Sequence, residues 1–224
     1  MFDRRLIEPE LLDHAPSEEA RINLDDLIRI NRNFGGHSVL RRTLAKVIAP
    51  DEHFTMLDVG CASGDSARVI NDAYPGASVT NLDYNDVNSE AAAYPKLIAD
   101  AFALPFAPDS FDYVLSSLFL HHFTDEQVIC LLGTFYRTAR RAVIICDLER
   151  HIIPYLFLPA TKFLFQWQRI TLHDGPVSVR AAFRKNELKA LSEDAGIPEP
   201  ILNVYRPAFR IAMIGAKRPI RETN

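Results

Sequence analysis

The stretch that most constrains this chain is Phe54–Gly64, FTMLDVGCASG. Phe54, Met56, Leu57 and Val59 read as a strand buried on both faces. Gly60, Ala62, Ser63 and Gly64 form a small-residue turn, and a helical run follows from Asp65 to Ala73. A strand, a tight turn and a helix bring backbone N–H groups and a helix N-terminus to one ligand. Asp58 stands at the strand end, where the site of an open parallel sheet forms. A second apolar run, Ala77–Leu82, ends on Asp83 and Tyr84. A carboxylate about 20 residues beyond such a turn suits a ribose diol.

The rest of the chain alternates in the same way. Strands are expected at 54–59, 77–82, 96–99, 111–117 and 142–147, with helices at 65–74, 85–93 and 125–140. Thr124–Gln127 carries the capping-box pattern at the start of the last helix. Such alternation predicts a parallel sheet covered by helices on both faces. The pattern changes at the end. Ile201–Tyr205 and Phe209–Ala216 flank a short Arg206–Pro207–Ala208 link, which predicts an antiparallel hairpin. Before the alternation, Ser17 is a candidate cap for a helix running to Asn33, and a second helix is expected over His37–Ile48. Residues 1–15 carry mixed charge and are expected to be partly loose.

LDVGCASG, NLDYND, DAFALPF and FDYVLSSLFLHHF, in this order, resemble the class I S-adenosylmethionine-dependent methyltransferases. The resemblance spans about Leu40–Arg218. It implies an α/β, Rossmann-like fold with a seven-stranded, mostly parallel sheet, an antiparallel C-terminal hairpin and a helical N-terminal cap. The expected division is a cap over 1–50 and a methyltransferase domain over 51–224 with an insertion at 151–183, all one compact unit. The implied cofactor is S-adenosyl-L-methionine. Asp58, Gly60, Cys61 and Gly64 would surround its methionine part, and Asp83 would take the ribose hydroxyls. Tyr84, Asp100, Ala101 and Phe102 would meet the adenine, and Ser117 and Leu118 would pass beneath. The family turn has a glycine where this chain has Ala62.

Four places bear on the acceptor. His121 and His122, in LFLHHF, offer an imidazole base near neutral pH, a loop anchor, or a cofactor contact. His173–Asp174–Gly175 reads as a Gly/Pro turn, either exposed or facing a pocket with His173 as base. NRNFGGH, Asn31–His37, is a helix–helix corner, or it closes over the cofactor through Asn33, Gly36 and His37. This segment and HDGPVSVRAAF together are similar to a bacterial subgroup of small-molecule methyltransferases, some of which accompany type III polyketide synthases. The apolar segment His151–Ile170, broken by Pro154, Pro159 and Lys162, reads as buried helices, as a hydrophobic wall over the acceptor, or as a membrane-surface contact.

The expected reaction is methyl transfer to a small, fairly apolar acceptor, at an oxygen of a phenolic or polyketide-like compound. Two alternatives are a nicotinamide-dependent oxidoreductase and a non-catalytic cofactor-binding regulator. The oxidoreductase reading lacks the Gly-x-Gly-x-x-Gly turn, since only Gly60 and Gly64 are present. The net charge of -4 gives no basic face for a nucleic acid. Cys61, Cys130 and Cys146 lie in or beside apolar runs and form no Cys-x-x-Cys, so reduced thiols and no metal site are expected. MFDRRLIEPELLDHA has no continuous apolar core, which makes the expected location cytoplasmic and the expected assembly a monomer or homodimer without integral membrane contact.

Overall fold

The computed structural model describes residues 2–84 and 96–217. The expected helix at 85–93 lies outside them. Among the described residues the sheet has seven strands: β1 Phe54–Val59, β2 Ala77–Asp83, β3 Lys96–Ile98, β4 Phe111–Ser117, β5 Ala139–Leu148, β6 Ile201–Tyr205 and β7 Arg210–Ala216. Their spatial order is β3-β2-β1-β4-β5-β7-β6. β1 to β5 pair in parallel, and β7 runs antiparallel to both β5 and β6. The helices are α1 Ser17–Asn33, α2 Gly36–Leu44, α3 Asp65–Ala73, α4 Asp125–Thr138, α5 Ile152–Phe165, α6 Arg169–Ala181 and α7 Lys185–Asp194.

Alternation along the strands builds two cores. Leu57, Val59, Val114, Val143 and Ile145 pack with Leu131, Phe135, Leu188 and Leu191 of α4 and α7. Phe54, Met56, Tyr113, Leu115 and Ile144 pack on the other face with Leu40, Leu44, Ala67 and Ile70 of α2 and α3. Successive side chains of a strand point to opposite faces, so a sheet covered on both sides needs near-continuous apolar strands. The Thr124 hydroxyl accepts from Gln127 N–H and the Gln127 side chain accepts from Thr124 N–H, as the capping box predicts.

Several expectations change in three dimensions. Pro16, not Ser17, occupies the N-cap of α1, and the second helix ends at Leu44 rather than Ile48. The segment 2–12 is pinned instead of loose. Arg5 Nε donates to Ala181 O at 2.7 Å, Leu6 N–H to Arg180 O at 3.1 Å, and Leu11 and Leu12 N–H each to the Asp174 carboxylate at 2.9 Å. His173–Asp174–Gly175–Pro176 is not a turn; it lies within α6. A Cβ added at Gly175 would stand 2.2 Å from Leu158 Cδ1, so this glycine permits close packing of α5 on α6. Pro154 sits in the first turn of α5, where its missing N–H costs nothing. α5 is also less buried than a core helix: Phe163 and Leu164 are 86% and 75% exposed. Cys61 and Cys146 are buried and Cys130 is exposed, all as free thiols. Among the described residues no helix is long and apolar enough to cross a membrane.

Candidate functional site

The site gathers at the C-terminal ends of β1, β2, β4 and β5. Gly60 and Cys61 N–H donate to Leu82 O at 2.9 and 3.1 Å, which locks the turn onto β2. Ala62 N–H donates to Asp83 Oδ2 at 2.8 Å, so the second carboxylate also braces the turn. Gly60 has φ 74° and Gly64 φ 72°, a region glycine enters without steric cost. Ala62 has φ 45°; the methyl is tolerated, but in a left-handed conformation. A Cβ at Gly60 would lie 2.4 Å from Phe119 Cδ2. The turn is therefore covered closely by the loop after β4.

Asp58 is 1% exposed. Neither carboxylate oxygen has a hydrogen-bond partner among the described residues. Burial, then the charges of Asp83 and Asp65, push its pKa from 3.8 up to about 7. A buried carboxylate without a partner calls for a cationic group. The ammonium of a methionine-derived cofactor has that charge. With the braced turn beside it, the chain's residues fit S-adenosylmethionine.

His37 reaches this place from α2. Its Nε2 lies 2.6 Å from Asp65 Oδ2, while Arg68 donates to Asp65 Oδ1 at 2.5 Å. Burial alone would raise Asp65, but these partners hold its pKa below the usual value. A cavity of about 20 Å³ is lined by Asn31, His37, Asp65, Leu118, Cys146 and Arg210, among others. Gly36 lines it too, whereas Asn33 is exposed at the end of α1. Asn31 takes the inward place instead: its Oδ1 accepts from Arg210 Nη2 at 3.3 Å. Burial lowers the Arg210 pKa to about 10. Asn31 opens the NRNFGGH segment in the last turn of α1, but Arg210 carries no sequence signal, because it opens a strand 179 residues away.

The adenine-side candidates are more open. Tyr84 is 77% exposed and Phe102 is 37% exposed. Asp100 Oδ1 accepts from Phe102 N–H at 2.9 Å, capping the short turn Ala101–Ala103. Leu118 N–H donates to Cys146 O, tying the loop beneath the site to β5.

The histidines separate sharply. His121 is buried, and its Nδ1 lies 2.7 Å from Asp147 Oδ1. Burial pulls its pKa down, but the Asp147 charge and hydrogen bond, with Glu10, raise it overall. Burial pushes Asp147 the other way, and His121 outweighs it, so that carboxyl stays low. His122 lies tilted against His121 at a centroid distance of 4.3 Å and is held well below its ordinary pKa by burial and by His121. His173 is half exposed, and its Nδ1 lies 2.8 Å from Asp174 Oδ1. That carboxylate is occupied with the N-terminal segment.

An open α/β sheet with a glycine turn, paired acids after β1 and β2 and a C-terminal hairpin defines a nucleoside-cofactor domain. Residues 57–144 match the family model described as "Methyltransferase domain". That stretch, running from β1 into β5, resembles a methyltransferase domain, and the site at its strand ends fits S-adenosylmethionine. No curated protein matches the chain in sequence. Solved structures show the fold. A candidate O-methyltransferase from Nostoc punctiforme PCC 73102 is 17% identical with a TM-score of 0.58, covering 85% of this chain and 60% of that one. Human N-acetylserotonin methyltransferase, in complex with SAM, is 16% identical with a TM-score of 0.64, covering 92% and 61%. Haemonchus contortus phosphoethanolamine N-methyltransferase 2, also with SAM, is 21% identical with a TM-score of 0.55, covering 77% and 39%. The chain thus spans about 60% of the length of the first two and less of the third.

Proposed function

We propose that the protein methylates a small, fairly apolar acceptor, at an oxygen of a phenolic or polyketide-like compound. The observation that carries the cofactor side is the unpartnered, buried Asp58 carboxylate behind the Gly60–Gly64 turn. The cofactor supplies a methyl group on a sulfonium, displaced in line by the acceptor. The chain's own residues bind, align and keep water away, since such a displacement depends mainly on orientation. Asp58 takes the ammonium, and Gly60, Cys61 and Gly64 allow the backbone to approach. Asp83 takes the ribose hydroxyls. Tyr84, Asp100, Ala101 and Phe102 flank the adenine. Ser117 and Leu118 form the floor, while Gly36 and His37 close the site from α2. Asn31 joins them in place of Asn33.

The acceptor side rests on an aromatic cluster. Phe34, at the corner before Gly35–Gly36, meets Phe157, Phe165 and Trp167 edge to face, at centroid distances of 4.7, 5.4 and 6.2 Å. The insertion therefore builds an apolar wall against the N-terminal corner. This supports the wall reading over a buried-helix reading. For proton removal, His121 is the best supported of the three histidines, because Asp147 fixes its ring; His122 lies beside it. His173 is tied to Asp174 on the side of α6 that holds the N-terminal segment.

Calorimetry with S-adenosylhomocysteine tests the reading. Binding is expected, and Asp83→Ala should weaken it at least tenfold, roughly the loss of two hydrogen bonds to a charged acceptor. Failure of the unmodified protein to bind would refute it. Turnover with a panel of phenolic acceptors separates an enzyme from a non-catalytic binding protein.

A further inference from the structure

The segment 2–12 crosses α6 and places Glu10 against the two histidines. His121 Nε2 lies 3.8 Å from Glu10 Oε1, and His122 Nδ1 lies 3.9 Å from the same oxygen. The three atoms all fall within 4.8 Å of one another. None of these separations is a hydrogen bond. Neither ring nitrogen of His122 has a hydrogen-bond partner among the described residues. Two imidazoles and a carboxylate converging on one point are a donor set for a borderline divalent ion.

We propose that Glu10, His121 and His122 bind a divalent transition-metal ion of the zinc and iron(II) class. Bonds of about 2.0–2.2 Å place neighbouring ligand atoms roughly 3.0–3.4 Å apart on such an ion. The two separations to Glu10 close to that by about half an ångström, and the separation of the two histidine nitrogens, which lies within 4.8 Å, by at most about 1.5 Å, both by side-chain rotation. The surroundings are those of a built site. Asp147 accepts from His121 Nδ1–H, which leaves the Nε2 lone pair toward Glu10. A metal-binding histidine is commonly oriented by a carboxylate in this way. The Ser178 hydroxyl donates to Glu10, so the glutamate is positioned as well. Arg5 Nη2 donates to the backbone oxygens of His121 and Phe123 at 3.3 and 2.9 Å. This holds the histidine loop and the N-terminal segment in register.

Three protein ligands leave at least one position open, as sites that bind a small oxygen ligand do. Ion binding itself does not depend on the methyl-transfer reading. The use of that open position for an acceptor oxygen does rest on it; with the ion bound, His121 Nε2 is a ligand, and the ion rather than the imidazole lowers the pKa of the acceptor oxygen. The ion would also fasten the N-terminal segment to the ends of β4 and β5 by a bond that no hydrogen bond in the segment matches.

The test uses the full chain, treated with chelator and titrated with Co²⁺. Visible d–d absorption should saturate near one equivalent, and Zn²⁺ should displace it. His122→Ala and Glu10→Gln should each weaken Co²⁺ binding at least tenfold. S-adenosylhomocysteine calorimetry on the same samples reports that the cofactor domain is folded. Absence of saturable absorption, or equal binding by the unmodified protein and His122→Ala, overturns the metal site. Co²⁺ binding without S-adenosylhomocysteine binding would leave the metal site standing and refute the methyl-transfer reading instead.

Discussion

Asp58→Asn should make the protein more stable and a poorer binder of its cofactor, and the gain in stability should depend on pH. The Asp58 carboxyl has a pKa of about 7 in the fold against 3.8 as an ordinary aspartate. The folded state therefore holds the proton more tightly than the unfolded chain does. Below pH 3.8 the group is protonated in both states and contributes no difference. As pH rises from 3.8 to about 7 the unfolded chain ionises first, and stability falls. Above pH 7 the loss is constant, about 4 kcal/mol from the difference in pKa at ~1.4 kcal/mol per unit. Asparagine keeps the shape and removes the ionisation. Its advantage should be roughly 1–2 kcal/mol at pH 5 and about 4 kcal/mol at pH 8. For a chain of this size each kcal/mol moves Tm by about 2–4 °C. Melting curves of the two proteins at pH 5 and pH 8 should thus diverge by about 5–10 °C on going to the higher pH. In calorimetry the variant should bind S-adenosylhomocysteine at least tenfold more weakly, because the partner of the ammonium has lost its charge. A constant difference in Tm across that range, or unchanged affinity, would refute the role given to Asp58.

Three further outcomes follow from the turn and the N-terminal segment. Ala62→Gly, at φ 45°, should raise stability by about 1 kcal/mol, since relief of left-handed strain exceeds the added chain entropy; a denaturant midpoint checks it. Gly60→Ala should cost about 2–4 kcal/mol and weaken S-adenosylhomocysteine binding, because the new methyl would meet Phe119 at φ 74°; an unchanged melting curve would contradict the packing. Asp174→Ala should cost about 2–4 kcal/mol, since it strips the acceptor from Leu11 and Leu12 N–H. Limited proteolysis should then cut within residues 2–12, while the unmodified protein resists.

Much of this site was legible as local pattern. The strand–turn–helix of Phe54–Ala73, the acid after each of β1 and β2, the Thr124 capping box and the closing hairpin are each written within about 20 residues. Local signals of that kind survive into the fold because the sheet buries both faces. The Gly175–Pro176 reading failed for the opposite reason. A glycine and a proline in sequence favour a turn, but contact with Leu158 and the capture of Leu11 and Leu12 by Asp174 stabilise a helix there. The sequence does not distinguish Asn33 from Asn31, because it shows neither helix rotation nor the Arg210 that reaches toward Asn31.

By itself the sequence determined the layered α/β fold, the small-residue turn after β1 and the acid at the end of each of β1 and β2. Periodicity, turn chemistry and spacing act over short stretches of chain and need no knowledge of distant partners. Only the tertiary structure decided which histidine is held by Asp147, that Glu10 faces it across 110 intervening residues, and that Phe34 packs edge to face on Phe157 and Phe165 of α5. Those contacts depend on how helices rotate and where a terminal segment crosses. Long-range packing fixes both, and no local propensity encodes them.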